Sequence, residues 1–179
     1  MGINITNSEL IILGLVAEEP KYGYQIEQNI IQRGMREWTE IGFSSIYYIL
    51  NKLEDRGLLV SEKRTEGERP ARKIYRLTDP GRQEYQKAVR ARLTSPRPRT
   101  DDFDIGLANL LALDRSELLQ ALTSYQATLK AKLTQVQAKY DLDGGDHLNL
   151  AAYELFSHSI AQLRAEVDWI TEAIERLSK

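Results

Sequence analysis

Residues 43–81 run FSSIYYILNKLEDRGLLVSEKRTEGERPARKIYRLTDPG. Ser44 or Ser45 can cap a helix in which Ile46, Ile49, Leu50 and Leu53 recur at the helical period, so one face is apolar and the rest polar. Gly57 follows Arg56 where a left-handed terminal residue would sit without a Cβ penalty, and the helix is expected to end there. Beyond it, 58–64 and 73–77 read as extended segments. They are joined by 65–72, too polar and too rich in Gly and Pro for a helix, with Gly67 and Pro70 setting the bend. The product is a hairpin carrying Lys63, Arg64, Arg69, Arg72, Lys73 and Arg76 close together.

A helix followed by a basic hairpin is the layout of a winged helix-turn-helix, in which the second helix of the pair enters the major groove and the hairpin reaches the flanking backbone or minor groove. Charged hairpins also occur as solvated sheet edges, where charge prevents edge pairing. Two observations favour nucleic acid. Two short helices precede the hairpin at helix-turn-helix spacing, and its cations outnumber Glu62, Glu66 and Glu68.

Upstream, Thr6, Asn7 or Ser8 can cap a first helix that presents Leu10, Leu13 and Val16 on one side and stops at Pro20. Gly14 within it costs about 1 kcal/mol relative to Ala, which close packing of a neighbouring helix would explain. A second helix begins near Tyr22 or Gly23, buries Ile26 and Ile30, and ends around Gly34. Downstream, Thr78, Asp79 and Pro80 form a strong helix start, with a capping side chain followed by Pro in the first turn. Tyr85, Val89 and Leu93 form the stripe of that fourth helix.

The Pro-containing stretch 95–100 marks a boundary. We read 1–95 as the DNA-binding domain, 96–113 as a linker with a short helix, and 114–179 as a helical dimerisation domain. In the latter, Leu122, Tyr125, Leu129, Leu133, Val136 and Tyr140 recur along one helix. After the turn at 141–146, Tyr153, Phe156, Ile160, Leu163, Val167, Ile170, Ile174 and Leu177 follow the three-four alternation of a helix-packing seam. This antiparallel hairpin has little company in a single chain. The seam of α-helical residues from 153 to 177 is therefore expected to meet a second copy, with packing on the chain's own winged domain as the alternative. The fold class is mostly α with a small β-hairpin wing.

Composition agrees with a globular protein: 179 residues, 42% hydrophobic, 28% charged and no cysteine, which removes disulfides and Cys-ligated zinc. The apolar run at 10–17 is too short to span a bilayer and no basic segment precedes it, so neither a signal peptide nor a membrane anchor is expected, and the lack of cysteine fits a reducing cytoplasm. The net charge of −2 hides an asymmetry. Residues 1–100 hold 17 Lys and Arg against 13 Asp and Glu, whereas 101–179 hold 7 against 13. Any phosphate binding is expected of the first half.

These residues resemble the PadR family of bacterial transcriptional regulators over roughly 8–90. The resemblance rests on Tyr22-Gly23-Tyr24-Gln25-Ile26, on Ser45-Ile46-Tyr47 with Leu50 and Leu53-Glu54, and on Gly57-Leu58. It extends through Pro70-Ala71-Arg72-Lys73-Ile74-Tyr75-Arg76-Leu77-Thr78 to Gly81. Ser44 stands where the family often has Gly, and Tyr48 where it often has Pro. The resemblance implies a cytoplasmic, dimeric DNA-binding regulator, commonly a repressor released by a small ligand.

On the third helix, Ser44, Ser45, Tyr47, Tyr48, Asn51 and Lys52 are the positions able to face a groove. Asn51 suits adenine, Lys52 suits a phosphate, and either tyrosine could instead be half-buried. On the wing, Lys63, Arg64, Arg69, Arg72 and Lys73 are candidates for the backbone or minor groove. Trp38, Tyr153, Phe156 and Trp169 suit either an apolar pocket for a small apolar or aromatic effector or ordinary packing.

Other constellations fail. The turn DLDGGD resembles the start of a calcium loop, but Asp146 occupies the position that needs Gly and Ala152 stands where the bidentate Glu belongs. His147 and His158 lack ligand-spaced partners. No hydrolase elbow or phosphate-cradling glycine loop is present. We therefore expect no metal, no cofactor and no enzyme. The partners are double-stranded DNA, a second copy and a small effector, with no membrane. The rival reading is a helical protein-interaction adaptor whose winged domain binds protein.

Overall fold

The computed structural model describes residues 4–37, 39, 41–42, 45–65, 71–95 and 102–179. The chain divides into two units, Met1–Pro98 and Arg99–Lys179.

In the first unit, helix α1 spans Asn7–Glu18. Thr6 caps it through a reciprocal box: its hydroxyl accepts from the Glu9 amide at 3.2 Å, and the Glu9 carboxylate accepts from the Thr6 amide at 2.8 Å. The single-sided stripe expected for α1 is too narrow. Ile12, Leu13, Leu15 and Val16 are all buried, because α1 is the central helix and packs against three others. Gly14 meets the fourth helix as anticipated: a Cβ there would lie 3.4 Å from the Tyr85 hydroxyl. Strand β1, Lys21–Tyr22, leads directly into helix α2, Gly23–Gln32. A 3-10 turn follows at Met35–Glu37.

Helix α3 spans Ser45–Asp55 and turns Ile46, Ile49, Leu50 and Leu53 inward. Its end is a Schellman motif. Gly57 has φ +68°, its amide bonds to the Glu54 carbonyl, and the Leu58 amide bonds to the Leu53 carbonyl, each at 2.9 Å. Leu53 and Leu58 are both buried, as the motif's apolar contact requires. Strands β2, Leu59–Arg64, and β3, Arg72–Leu77, pair antiparallel with Leu59 opposite Leu77 and Arg64 opposite Arg72. The sheet order is β1-β3-β2. The hairpin read from sequence is thus the larger part of a three-stranded sheet, its third strand too short to leave a periodic signal.

Helix α4, Asp79–Thr94, begins at Thr78, whose hydroxyl donates to the Gly57 carbonyl at 2.7 Å and accepts from the Gly81 amide at 3.0 Å. A Cβ on Gly81 would fall 2.0 Å from the Leu58 carbonyl oxygen, so only glycine permits α4 to abut the corner between α3 and β2. Tyr85 packs on the core, but Leu93, the end of the predicted stripe, is 83% exposed.

In the second unit, α5, Asp102–Ala108, and a 3-10 turn at Leu110–Ala112 precede two long helices, α6, Arg115–Leu142, and α7, Leu150–Ser178. The short helix read within 96–113 spans Asp102–Ala108. Phe103 stacks on Tyr125 with centroids 4.1 Å apart and meets Trp169 edge-on at 5.9 Å, which ties α5 to the long pair. Asp114 caps α6 and Asn149 caps α7. At the turn, Gly144 and Gly145 adopt positive φ and the Tyr140 hydroxyl donates to the Asp146 carboxylate. That bond pushes the Tyr140 phenol up to about 12. Among the described residues no helix is long and apolar enough to cross a membrane.

Candidate nucleic-acid interface

Helix α3 presents its polar side away from the core. Tyr48 is 68% exposed and Tyr47 51%, with Asn51 exposed beside them. Successive residues turn by about 100°. Tyr48 and Asn51 consequently lie opposite the buried stripe, and Tyr47 and Lys52 flank them. Each flanking residue is engaged by a neighbouring helix. The Tyr47 ring lies over Gly23 at the start of α2, where a Cβ would come within 2.6 Å of it. Lys52 pairs with Glu9 on α1 at 2.9 Å. Ser45 donates its hydroxyl to the Gly42 carbonyl at 2.7 Å, which fixes the entry to the helix.

The partner of Lys52 is the least exposed carboxylate among the described residues of the unit. Glu9, its side chain 2% exposed, also receives Arg56 at 2.8 Å, and Arg56 reaches the Asn4 carbonyl at 3.1 Å. Burial alone would push the Glu9 carboxyl up, but the Thr6 amide, Lys52 and Arg56 outweigh it and hold the group below its ordinary value. Lys52, expected to meet a phosphate, is thereby held on α1 as a clamp on the position of α3.

The strand register places like charges directly opposite one another on the wing: Lys63 faces Lys73, and Arg64 faces Arg72. Such pairs cost about 0.2–1 kcal/mol each. Three interactions moderate the repulsion. Glu54 on α3 accepts from Lys73 at 2.8 Å and from the Ser61 hydroxyl at 2.5 Å, joining the reading helix to both strands. Lys73, then Ser61, hold the Glu54 carboxyl below its ordinary value, and Glu54 raises Lys73 in turn. Glu62 accepts from Arg64 at 2.7 Å and Arg76 at 3.1 Å. Arg72 stands over the Tyr24 ring, 5.3 Å from its centroid. Lys63 makes no ion pair among the described residues.

Of the residues read from sequence, Ser44, Arg69 and Trp38 lie outside the described residues. Ser45, Tyr47, Tyr48, Asn51 and Lys52 come together on α3, and Lys63, Arg64, Arg72 and Lys73 on the wing. Glu9, Tyr24, Glu54 and Glu62, which hold those cations, were missed. Glu9 carried a local signal as the fourth residue of a Thr-x-x-Glu capping box, and Glu62 as the residue two before Arg64 on one strand face.

The seam expected to meet a second copy is used within one chain. Ile170 is fully buried and Leu163 nearly so, packed with Leu122 and Leu129 of α6. Val167, Ile174 and Leu177 join the same cluster, and Ile160 is buried as well. The reason is that α6 carries its own matching stripe, so two antiparallel helices satisfy each other. Tyr125 donates to Glu166 and Gln126 to Thr171 across the seam. The proposed effector set also separates. Tyr153 and Phe156 gather around Tyr140, whereas Trp169 packs on Phe103. Tyr153 and Trp169 are about 24 Å apart along α7 at a rise of about 1.5 Å per residue, too far to line one small pocket in one chain.

Residues 12–87 match the family described as Transcriptional regulator PadR-like. Over 175 residues the chain is 23% identical to the negative transcriptional regulator PadR of Bacillus subtilis (strain 168), covering 94% of this chain and 96% of that protein. The crystal structure of Bacillus subtilis PadR in complex with operator DNA matches with a TM-score of 0.79 at 23% identity, over 96% of this chain and 99% of that one. The complex of the same protein with p-coumaric acid matches with a TM-score of 0.78 at 24% identity, over 96% and 98%. The fold is shared along nearly the whole length.

Proposed function

Given that the chain carries a PadR-like transcriptional regulator domain and is a homologue of Bacillus subtilis PadR, we propose that it is a dimeric, ligand-responsive repressor that silences a promoter by occupying an inverted repeat. It is a regulator, not an enzyme. The observation that carries the DNA reading is the wing register, in which Lys63 faces Lys73 and Arg64 faces Arg72. Glu54, Glu62 and Tyr24 offset part of the repulsion within these two pairs, and a phosphate backbone relieves the rest.

In this reading Tyr48 and Asn51 reach base edges in the major groove, with Tyr47, Ser44 and Ser45 at the margin. Lys63, Arg64, Arg69, Arg72 and Lys73 grip the flanking backbone or minor groove. The α6–α7 unit dimerises, but not through its buried seam. The apolar residues left outside it, Leu150, Leu155 and Trp169 among them, supply the apolar area for pairing. Two-fold pairing then presents two α3 helices to half-sites about one helical turn apart. A crystal structure of Bacillus subtilis PadR holds p-coumaric acid, and here a small aromatic effector that alters the separation of the two α3 helices would release the repressor. The setting is the cytoplasm, where its operator lies.

The test is a salt titration of DNA binding by the full chain. Replacing Arg72 and Lys73 together by Ala should weaken binding to every duplex and flatten the slope of log K against log salt by about 0.9 for each phosphate that is no longer neutralised. A double variant that binds as the parent does would remove the wing from the interface.

A further inference from the structure

Strand alternation sorts the wing cations by face. Val60, Glu62 and Arg64 of β2 share a face with Arg72, Ile74 and Arg76 of β3, while Ser61, Lys63 and Lys73 lie on the other. Among the described residues, the cations of each face bond to one carboxylate, Glu62 on the first and Glu54 of α3 on the second. Glu54 serves the second and is also bonded to Ser61, so it has a structural task. Among the described residues the Glu62 side chain bonds to arginines alone. A single oxygen of its carboxylate, Oε1, receives both Arg64 Nε at 2.7 Å and Arg76 Nη2 at 3.1 Å. All three side chains are about half exposed, at 48%, 51% and 44%.

Exposed ion pairs of this kind contribute little to stability. Their effect on binding is larger, because a carboxylate and a phosphate offer guanidinium the same charge and the same acceptor geometry. Resting on the DNA-binding reading above, we propose that Glu62 is a built-in competitor for the DNA backbone. It holds Arg64 and Arg76 in a clasp that phosphate must displace, and so sets the overall DNA affinity of the wing. When DNA arrives, the arginines exchange one oxyanion for another, and their bonds to Glu62 are lost. Interactions with phosphate carry no sequence information, so the restraint acts on operator and random DNA alike. It lowers non-specific retention and leaves discrimination to α3.

The experiment compares the parent with Glu62→Gln, a substitution of equal size at an exposed site. Binding of the full chain is measured by fluorescence anisotropy on a duplex from upstream of its own gene and on a random duplex, between about 50 and 200 mM salt. Glu62→Gln should tighten binding to both duplexes by up to about fivefold, as an ordinary exposed pair allows. The salt slope should match the parent's, because both arginines reach phosphate in either complex. In an Arg64→Ala, Arg76→Ala background the same substitution should have no effect. Unchanged or weaker binding by Glu62→Gln overturns the proposal, as does a gain that persists without the two arginines. If the parent itself shows no salt-dependent binding to any duplex, the DNA-binding reading falls too, whereas a parent that binds and ignores Glu62→Gln removes only the competitor.

Discussion

Replacing Glu9 by Gln removes one charge from the point where α1 and α3 are joined, without changing side-chain volume. Gln keeps an acceptor for the Thr6 amide, now 2.8 Å away, but leaves Lys52 and Arg56 without their shared counter-charge. Breaking a fully buried pair costs about 3–5 kcal/mol. The Glu9 side chain is 2% exposed, but Lys52 and Arg56 are 43% and 24% exposed and can rehydrate. That discounts the loss to about 2 kcal/mol. In equilibrium urea unfolding at pH 7 the midpoint of the affected transition should fall by about 1 M, for a slope of about 2 kcal/mol per molar. Hydrogen exchange should quicken roughly 30-fold in α1 and α3 peptides, with α6 and α7 unchanged.

The pH dependence follows from the same group. Its folded value lies below the ordinary 4.5, so the stabilisation is complete above that pH and disappears as pH falls through the lowered value. The difference between parent and Glu9→Gln should close as Glu9 protonates. A gap that stays as wide at about pH 3 as at pH 7, or loosening spread equally over α7, would refute the assignment of this carboxylate as the α1–α3 clamp.

Gly81→Ala would drive a Cβ to 2.0 Å from the Leu58 carbonyl oxygen. Thermal unfolding should show a loss of about 1–3 kcal/mol, from displacement of α4 away from the α3–β2 corner. Gly57→Ala, at φ +68° with no atom within 4 Å of the new Cβ, should cost less, about 1 kcal/mol, because only backbone strain opposes it. In the second unit, Ile170→Ala opens a cavity at a fully buried position between α6 and α7. A loss of about 2–5 kcal/mol is expected in chemical denaturation. A small loss recovered at higher protein concentration would instead place Ile170 between subunits.

The sequence by itself determined the features whose causes lie within a turn or a heptad. Gly57 ends α3 because one backbone conformation demands it, and Thr78 starts α4 because its hydroxyl meets an amide three residues on. The α7 seam is periodic because helices are. Their order alone sufficed to place a reading helix beside a basic wing. Only the tertiary structure decided who partners whom. Arg56 and Glu9 are 47 positions apart, and nothing local to either announces the other. Whether the α7 seam met α6 or a second copy turned on α6 offering a complementary stripe at the right distance, since apolar periodicity states that a face is buried and not against what. The wing cations show the same limit: composition counts the charges, but their allocation to Glu54, Glu62 and Tyr24 depends on strand register and on α2 and α3 arriving beside the sheet, because Coulombic and hydrogen-bond terms are set by separation in space.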